Sequence, residues 1–358
     1  MSRLPDLVIG DLKIYPPIVQ GAMGVRISLS KLASAVANEG AIGTIAAVFT
    51  SGIVKRFSND QFIRADISEL TKYIREAKKL TKGVIAANVM VALDDYAELV
   101  QTAAAEGVDI IFSGAGLPMN MPKLVKGSKV KIIPIVSSGR AAEIICKNWI
   151  KKYDYIPDAI VVEGPLAGGH LGYSIEQLTD KSKTPKLEDI VVDVLEVAKQ
   201  YNTSMKKIPV IAGGGLFDGK DIARMLKLGA SGVQIATRFV CTYECDAADA
   251  FKQAYINAKE EDIIIIKSPV GLPGRAINNE FLRKSERGEI KFNCYYHCLR
   301  TCKPQESPYC IADALLNAAA GDLDNGFVFA GSNVYRVNKM TSVKELIREL
   351  VQEAEANY

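Results

Sequence analysis

Short apolar, β-rich runs alternate with amphipathic helical patterns through residue 240, and this rhythm constrains the fold more than any other feature. Continuous apolar strands separated by helices are typical of a parallel sheet whose outer face is covered. Eight such units predict a closed (β/α)8 barrel, that is, a TIM barrel. The eight runs are residues 16–23, 41–48, 83–91, 109–116, 131–137, 159–165, 209–215 and 232–239.

A doubly wound open sheet is the alternative architecture. Such a sheet ordinarily carries a G-x-G-x-x-G turn after its first strand. Here the corresponding sequence is QGAMGVR at 20–26, which lacks that spacing. The helical patterns between the runs end on glycine, for example on Gly40 and Gly229, as helix C-termini often do. The barrel is therefore the predicted fold.

The composition is that of an ordinary globular protein. The chain has 358 residues, 48% of them hydrophobic and 24% charged, so a sizeable core can form. A net charge of +3 without a long Lys or Arg block argues against nucleic-acid and anionic-membrane partners and favours a small-molecule substrate. Pro5, Asp6 and Asp11 interrupt the N-terminus where a secretory segment would be apolar. With seven cysteines, an odd number, these features predict a cytoplasmic protein; whether it forms a homodimer stays open.

Small residues dominate the segments that follow the predicted strands. Glycine lets the backbone approach a ligand closely, and catalytic groups of a barrel collect at these strand ends. The seventh and eighth runs carry Gly213, Gly214 and Gly215, then Ala236 and Thr237, where barrels often bind phosphate through backbone N–H groups. The predicted ligand is a sugar phosphate or FMN. The alternative is that these glycines only make tight turns.

One of the two histidines, His170, follows Gly168 and Gly169 just after the sixth run. An unperturbed imidazole titrates near pH ~6.5, so it can take or give a proton at neutral pH. Its position at the barrel rim favours a functional role over a structural one.

Six segments, in this order, resemble the nitronate monooxygenase family, formerly called 2-nitropropane dioxygenases, which includes the FMN-dependent enoyl-ACP reductase II enzymes. The resemblance covers roughly residues 14–240, and it implies a TIM barrel that holds FMN without a covalent link. The segments are PPIVQGAMG, ANVMV, GAGLP, EGPLAGGHLG, PVIAGGGLFDG and GVQIATRF.

The resemblance also implies roles for single residues. His170 would act as the base for neutral nitroalkanes, or would assist substrate activation in an enoyl reductase. Asn88 would hydrogen-bond the flavin, and Ser138 and Glu163 would flank its ring. The full set implied to bind FMN is Ala22, Met23, Gly24, Asn88, Ser138, Glu163, Gly168, Gly169, Gly213, Gly214, Gly215, Ala236, Thr237 and Gly331.

The subfamily stays open at this point. Leu171 follows His170 where many nitronate monooxygenases carry arginine, which resembles the reductase branch. Nitronate oxidation passes electrons through flavin to O₂ and is the favoured function. The alternative is an NAD(P)H-dependent enoyl-ACP or quinone reductase. A barrel that binds a phosphate ligand without redox chemistry is the more distant alternative, and it would need carboxylates or lysines at the strand ends.

The chain changes character after the barrel domain, residues 1–240. Helix, strand and Gly/Pro patterns predict a small second domain or lid at 241–310, and 311–358 return to the barrel. The family resemblance implies that this region lies over the barrel mouth. Arg275 within it is a candidate substrate contact, and the alternative is that it is only solvated.

A Cys-rich stretch lies within the predicted lid. Cys294, Cys298 and Cys302 are spaced i, i+4 and i+8, with Cys310 eight residues further. Four thiolates suit zinc or an iron–sulfur cluster. However, the spacing matches neither CxxC nor a ferredoxin run, and on a helix it equally suits small core residues. We therefore predict no metal site.

Overall fold

The computed structural model describes residues 2–52, 59–294 and 297–358. Its strands are β1 Leu7–Ile9, β2 Leu12–Ile14, β3 Ile18–Gln20, β4 Gly43–Ala46, β5 Ile85–Met90, β6 Ile110–Gly114, β7 Lys131–Val136, β8 Ile160–Glu163, β9 Gly169–His170, β10 Val210–Gly213, β11 Gly232–Ile235, β12 Ile263–Lys267, β13 Pro273–Ile277 and β14 Val328–Phe329. Its α-helices are α1 Ser30–Asn38, α2 Asn59–Leu80, α3 Tyr96–Ala105, α4 Met121–Leu124, α5 Gly139–Tyr153, α6 Ile175–Thr179, α7 Leu187–Tyr201, α8 Gly219–Leu228, α9 Thr237–Val240, α10 Asp249–Asn257, α11 Glu280–Glu286, α12 Ile311–Ala319 and α13 Val343–Asn357.

Eight parallel strands form the barrel, in the order β3-β11-β10-β8-β7-β6-β5-β4. The two ends of this sheet meet through Ile42, whose N–H donates to Ile18 O at 3.0 Å while its carbonyl accepts from Gln20 N at 2.9 Å. Each of the eight predicted runs contains one of these strands. The (β/α)8 prediction is therefore confirmed, and the open-sheet alternative is wrong.

The lower half of the barrel is a packed core rather than a pore. Its interior residues are fully buried, and the antiparallel β1–β2 hairpin closes the bottom with Leu7, Ile9 and Ile14. This hairpin was not predicted from the sequence, since each of its strands has only three residues. The other members of the cluster are Val19, Ile42, Ala86, Ile110, Phe112, Ile133, Ala159, Val161 and Ile211.

Helices cover the outside of the barrel, and the longer ones bury an apolar face, as α5, α7, α8 and α13 do. Helix α8 begins with a capping box made by Asp218 and Asp221 and ends at Gly229, whose φ of 113° explains the glycine predicted there. The C-terminal helix α13 lies beside α8 and α1 and completes the helical ring. Gly219 N donates to Glu353 Oε2 at 2.8 Å, which ties α13 to the start of α8.

A small antiparallel sheet lies over the barrel mouth, in the region predicted to be a lid. Strand β13 pairs with β12 and β14, and also with β9, which belongs to the loop after barrel strand β8. The sheet thus includes strands from both sides of the predicted lid, 241–310. Because β9 holds His170 opposite Gly274, the lid sheet fixes the backbone of the predicted catalytic residue.

The Cys-rich stretch is irregular where the structure describes it, at 291–294 and 297–303, and residues 295–296 lie outside the described part. Its cysteines therefore do not share one face of a helix. We call residues 297–303 the strap, because they run across the barrel loop after β5. Leu299 forms a bridge with Leu93, and Arg300 N donates to Ala92 O at 3.1 Å.

The last features of the fold concern the cysteines, the possible metal ligands and the helices. All seven cysteines are free. Within the described residues, no group of three or more His, Cys, Asp or Glu side chains is arranged to hold a metal ion. None of the described helices combines the length and the apolar character needed to cross a membrane.

Candidate active site

A large cavity opens at the C-terminal ends of the barrel strands, beneath the lid sheet. It encloses about 1690 Å³, including its open mouth. A cavity in this place is typical of barrel enzymes, whose ligands bind at the C-terminal ends of the strands.

Most residues that the sequence analysis assigned to FMN line this cavity. They are Ala22, Met23, Gly24, Asn88, Glu163, Gly168, Gly169, Gly214, Gly215, Ala236, Thr237 and Gly331, and His170 lines it with them. Ser138 and Gly213 do not belong to the lining. Ser138 caps helix α5, where its hydroxyl accepts from Ala141 N at 3.2 Å, and its place beside the flavin ring stays a prediction.

One side of the cavity is built from four loops of small residues, which we call the glycine rim: residues 166–169, 214–215, 236–237 and 331–333. Hydrogen bonds join these loops: Ser332 N donates to Leu166 O at 3.1 Å, and Asn333 Nδ2 donates to Gly215 O at 2.7 Å. A Cβ atom on Gly168 would lie 2.6 Å from Gly331 N. Because no side chain fits there, glycine at 168 allows two loops to meet.

Ser332 has a side chain that is suited to contact a ligand in the cavity. Its Oγ is buried and, of the described residues that line the cavity, only Ser332 has such a buried side-chain polar atom without a hydrogen-bond partner. Buried polar groups normally have partners, so this hydroxyl is available to a ligand oxygen. A Cβ on Gly169 would meet no atom within 4 Å, which leaves open space beside it. The rim therefore fits a phosphate such as that of FMN.

The cavity is also lined by large apolar residues, which we call the apolar wall. The wall is not evident from local sequence patterns, because its members come from eight separate stretches of the chain. They are Val25, Ile27, Val48, Phe49, Met90, Leu93, Phe251, Tyr255, Val270, Leu299, Ile311, Leu315 and Phe329.

His170 lies between the glycine rim and the apolar wall. Its Nε2 is 2.7 Å from Ser268 Oγ, a lid residue that the sequence analysis did not identify. The imidazole meets the ring of Phe329 edge-on, with centroids 4.9 Å apart. Burial lowers the pKa of His170 to about 4, because desolvation disfavours the charged ring. The imidazole is therefore neutral at pH 7.

Two ionisable residues lie near the loop that precedes His170. Glu163 ends β8 and lines the cavity, and burial raises the pKa of its carboxyl to about 7. Arg275 is buried and does not line the cavity, unlike the sequence expectation. Its Nη1 donates to Pro165 O at 2.7 Å and to Ala167 O at 2.5 Å, so Arg275 holds the loop in place.

The chain resembles a known protein family over nearly its whole length. The family profile described as nitronate monooxygenase matches residues 6–353. A probable nitronate monooxygenase of Staphylococcus saprophyticus is 27% identical over 79% of this chain and 81% of the relative. The (3aS,4S,5R,7aS)-5-hydroxy-7a-methyl-1-oxo-octahydro-1H-indene-4-carboxyl-CoA dehydrogenase of Mycobacterium tuberculosis is 26% identical over 77% of this chain and 66% of its own length.

Solved structures show the same architecture. FabK from Thermotoga maritima matches with a TM-score of 0.73 and 26% identity, covering 96% of this chain and 94% of FabK. The nitroalkane oxidase of Streptomyces ansochromogenes has a TM-score of 0.71 at 20% identity, covering 96% and 97% of the two chains, and shows the fold alone.

Proposed function

Since the chain belongs to the nitronate monooxygenase family of flavin-dependent oxidoreductases, we propose that it binds FMN and oxidises alkyl nitronates with O₂. The observation that carries this proposal is the convergence of the four loops of the glycine rim beside His170, with Ser332 Oγ unpartnered among them. Such a rim suits the phosphate of FMN, and the space between the glycine rim and the apolar wall suits its planar flavin ring.

Different residues would bind different parts of FMN. The backbone N–H groups of the rim, with the hydroxyls of Thr237 and Ser332, would hold the ribityl phosphate. Ala22, Met23 and Asn88 line the cavity further along, where the ring would lie. When bound, FMN would supply the electron acceptor and the reaction with O₂, and the protein would supply position and electrostatics. The apolar wall would exclude water from the substrate.

NAD(P)H-dependent reduction of an enoyl thioester or a quinone is the second candidate. The extent of the apolar wall favours it, because a small nitronate needs little apolar surface whereas an acyl chain needs much. The M. tuberculosis relative, whose name includes a carboxyl-CoA, and the similarity to FabK also support it. Both candidates need the same cofactor in the same place.

An absorbance spectrum of the purified protein, followed by anaerobic mixing with propyl-2-nitronate, NADH and NADPH in turn, tests the proposal. We expect flavin bands that bleach with the nitronate and not with the nicotinamides. Bleaching by NAD(P)H would establish the second candidate instead. No flavin band, even after FMN is added, would contradict both and favour a barrel that binds a phosphate ligand without redox chemistry.

A further inference from the structure

The hydrogen bonds of His170 determine which ring nitrogen a ligand meets. Nε2 lies 2.7 Å from Ser268 Oγ. Within residues 2–52, 59–294 and 297–358, the imidazole has this one hydrogen bond, so Nδ1 is the nitrogen left for a ligand. In a neutral imidazole one nitrogen donates and the other accepts, and the partner of one fixes the role of the other.

The direction of the bond between Ser268 Oγ and His170 Nε2 depends on where the Ser268 hydroxyl proton points. A hydroxyl has one proton to donate and two lone pairs. Val270 N–H donates to Ser268 Oγ at 3.3 Å and uses one lone pair. Of the described groups, only His170 Nε2 is placed to accept the Ser268 proton. Ser268 is just 9% exposed, and buried hydroxyls normally have a hydrogen-bond partner, so its proton goes to Nε2.

We propose that Ser268 is a positioning residue that holds His170 in the Nδ1–H tautomer, so that the imidazole offers the ligand a hydrogen-bond donor rather than a base. Resting on the proposed function, this assigns the substrate class. An anionic nitronate oxygen can accept from Nδ1–H, whereas a neutral nitroalkane, which must first lose a proton, finds no base there. The base role implied by the family resemblance is replaced by a donor role.

The strap supports this arrangement from the other side. Thr301 Oγ1 in the strap donates to Val270 O at 2.8 Å, and Gly271 N donates to Ser268 O at 2.9 Å. These bonds fix the turn whose Val270 N–H directs the Ser268 hydroxyl. The Cys-rich stretch thereby gains a role that needs no metal: it keeps this turn in place over the cavity.

Nuclear magnetic resonance of ¹⁵N-histidine-labelled protein tests the tautomer directly, with and without added FMN. The chain has two histidines, so a His297→Gln variant leaves the signals of His170 alone. We expect long-range ¹H–¹⁵N spectra to show Nδ1 protonated and Nε2 unprotonated. In Ser268→Ala, the signals should shift toward the Nε2–H form that imidazole prefers in water, while Ser268→Thr should keep the wild-type pattern.

An Nε2–H signal in the wild-type protein, or an unchanged tautomer in Ser268→Ala, would overturn the proposal. Ser137→Ala is the matched control, since Ser137 Oγ donates to Gly172 O at 3.1 Å on the same loop without touching the imidazole. It should leave the tautomer unchanged.

A kinetic comparison tests the consequence for the substrate. At one pH, 2-nitropropane should be oxidised at least ~100-fold more slowly than propyl-2-nitronate, because a general base is typically worth ~10²–10⁴-fold. Equal rates would contradict the donor role. A protein without flavin would fail the proposed function and still give a tautomer, so the two failures are distinguishable.

Discussion

The two sides of the cavity are built in different ways. The glycine rim consists of backbone and small side chains from short motifs, whereas the apolar wall consists of large side chains from scattered segments. No Lys or Arg occurs among the described residues that line the cavity. A phosphate there would be bound by N–H groups and hydroxyls alone. The rim is thus suited to one fixed cofactor, whereas substitution of single side chains in the wall can change which substrate binds.

Arg275 contacts the rim through Ala167 O, and two arginines close to the rim in sequence are engaged in ion pairs. Arg238, next to Thr237, pairs with Glu349 at 2.9 Å, and Arg336 pairs with Asp218 at 2.8 Å. Both guanidinium groups also cover the ring of Phe217. They stabilise the outer layer of the barrel and leave the phosphate position to the main chain.

The largest effect should come from His170, which lies where rim and wall meet. His170→Ala should lower turnover of propyl-2-nitronate by ~10²–10³-fold, as the loss of a positioned donor does elsewhere. The FMN content should not change, because the imidazole is absent from the rim. Steady-state kinetics and the ratio of flavin to protein absorbance measure both quantities.

His297→Gln provides the control for this substitution, since His297 is not among the residues that line the cavity. It should keep both activity and flavin. Loss of FMN from His170→Ala would show that the imidazole belongs to the cofactor side, and the division between rim and wall would fail.

The sequence predicted the barrel and the rim for the same physical reason. Both depend on local patterns: apolar runs make buried parallel strands, and glycines mark close backbone contacts. Gly168 and Gly229 are required by atoms or angles that the structure shows. Ser138 shows a limit of such patterns, because a serine at a strand end also suits a helix N-cap and the sequence does not distinguish the two roles.

The wall and the Ser268 contact could not be predicted from local patterns. His170 and Ser268 are 98 residues apart and meet because β9 joins the lid sheet. Ser332 was nearer to prediction, since the sequence analysis singled out Gly331 beside it. Its hydroxyl lacks a partner because of the way the rim loops pack, and that packing cannot be read from the sequence.

A matched pair of substitutions sharpens the contrast between the two sides. Ser332→Ala should weaken FMN binding ~10-fold, about 1.4 kcal/mol, because one hydrogen bond to the phosphate is lost. Leu315→Val, on the wall, removes one methylene and should lower kcat/KM by ~5-fold, about 1 kcal/mol. Fluorescence titration with FMN should detect the effect of Ser332→Ala and not that of Leu315→Val. Steady-state kinetics at saturating FMN should detect the effect of Leu315→Val and not that of Ser332→Ala. Equal effects of both variants on FMN would contradict the division.

The smallest effect concerns Glu163, and it tests whether the cavity is as apolar as its wall indicates. Burial raises the pKa of this carboxyl from 4.5 to about 7. Between these values the folded protein keeps a proton that the unfolded chain releases, so stability falls as pH rises from about 4.5 to 7 and then stays constant. Glu163→Gln cannot ionise and escapes this loss.

The variant should therefore match the wild-type protein near pH ~5 and exceed its free energy of unfolding by about 1 kcal/mol at pH ~8. The full pKa shift would correspond to about 3 kcal/mol, but the carboxyl is only partly buried and solvent at the cavity mouth reduces this value. Urea unfolding without FMN at both pH values measures the difference. If the variant and the wild type differed in their free energy of unfolding by the same amount at both pH values, water would reach Glu163 freely. The apolar wall would then not create the apolar environment that keeps His170 neutral.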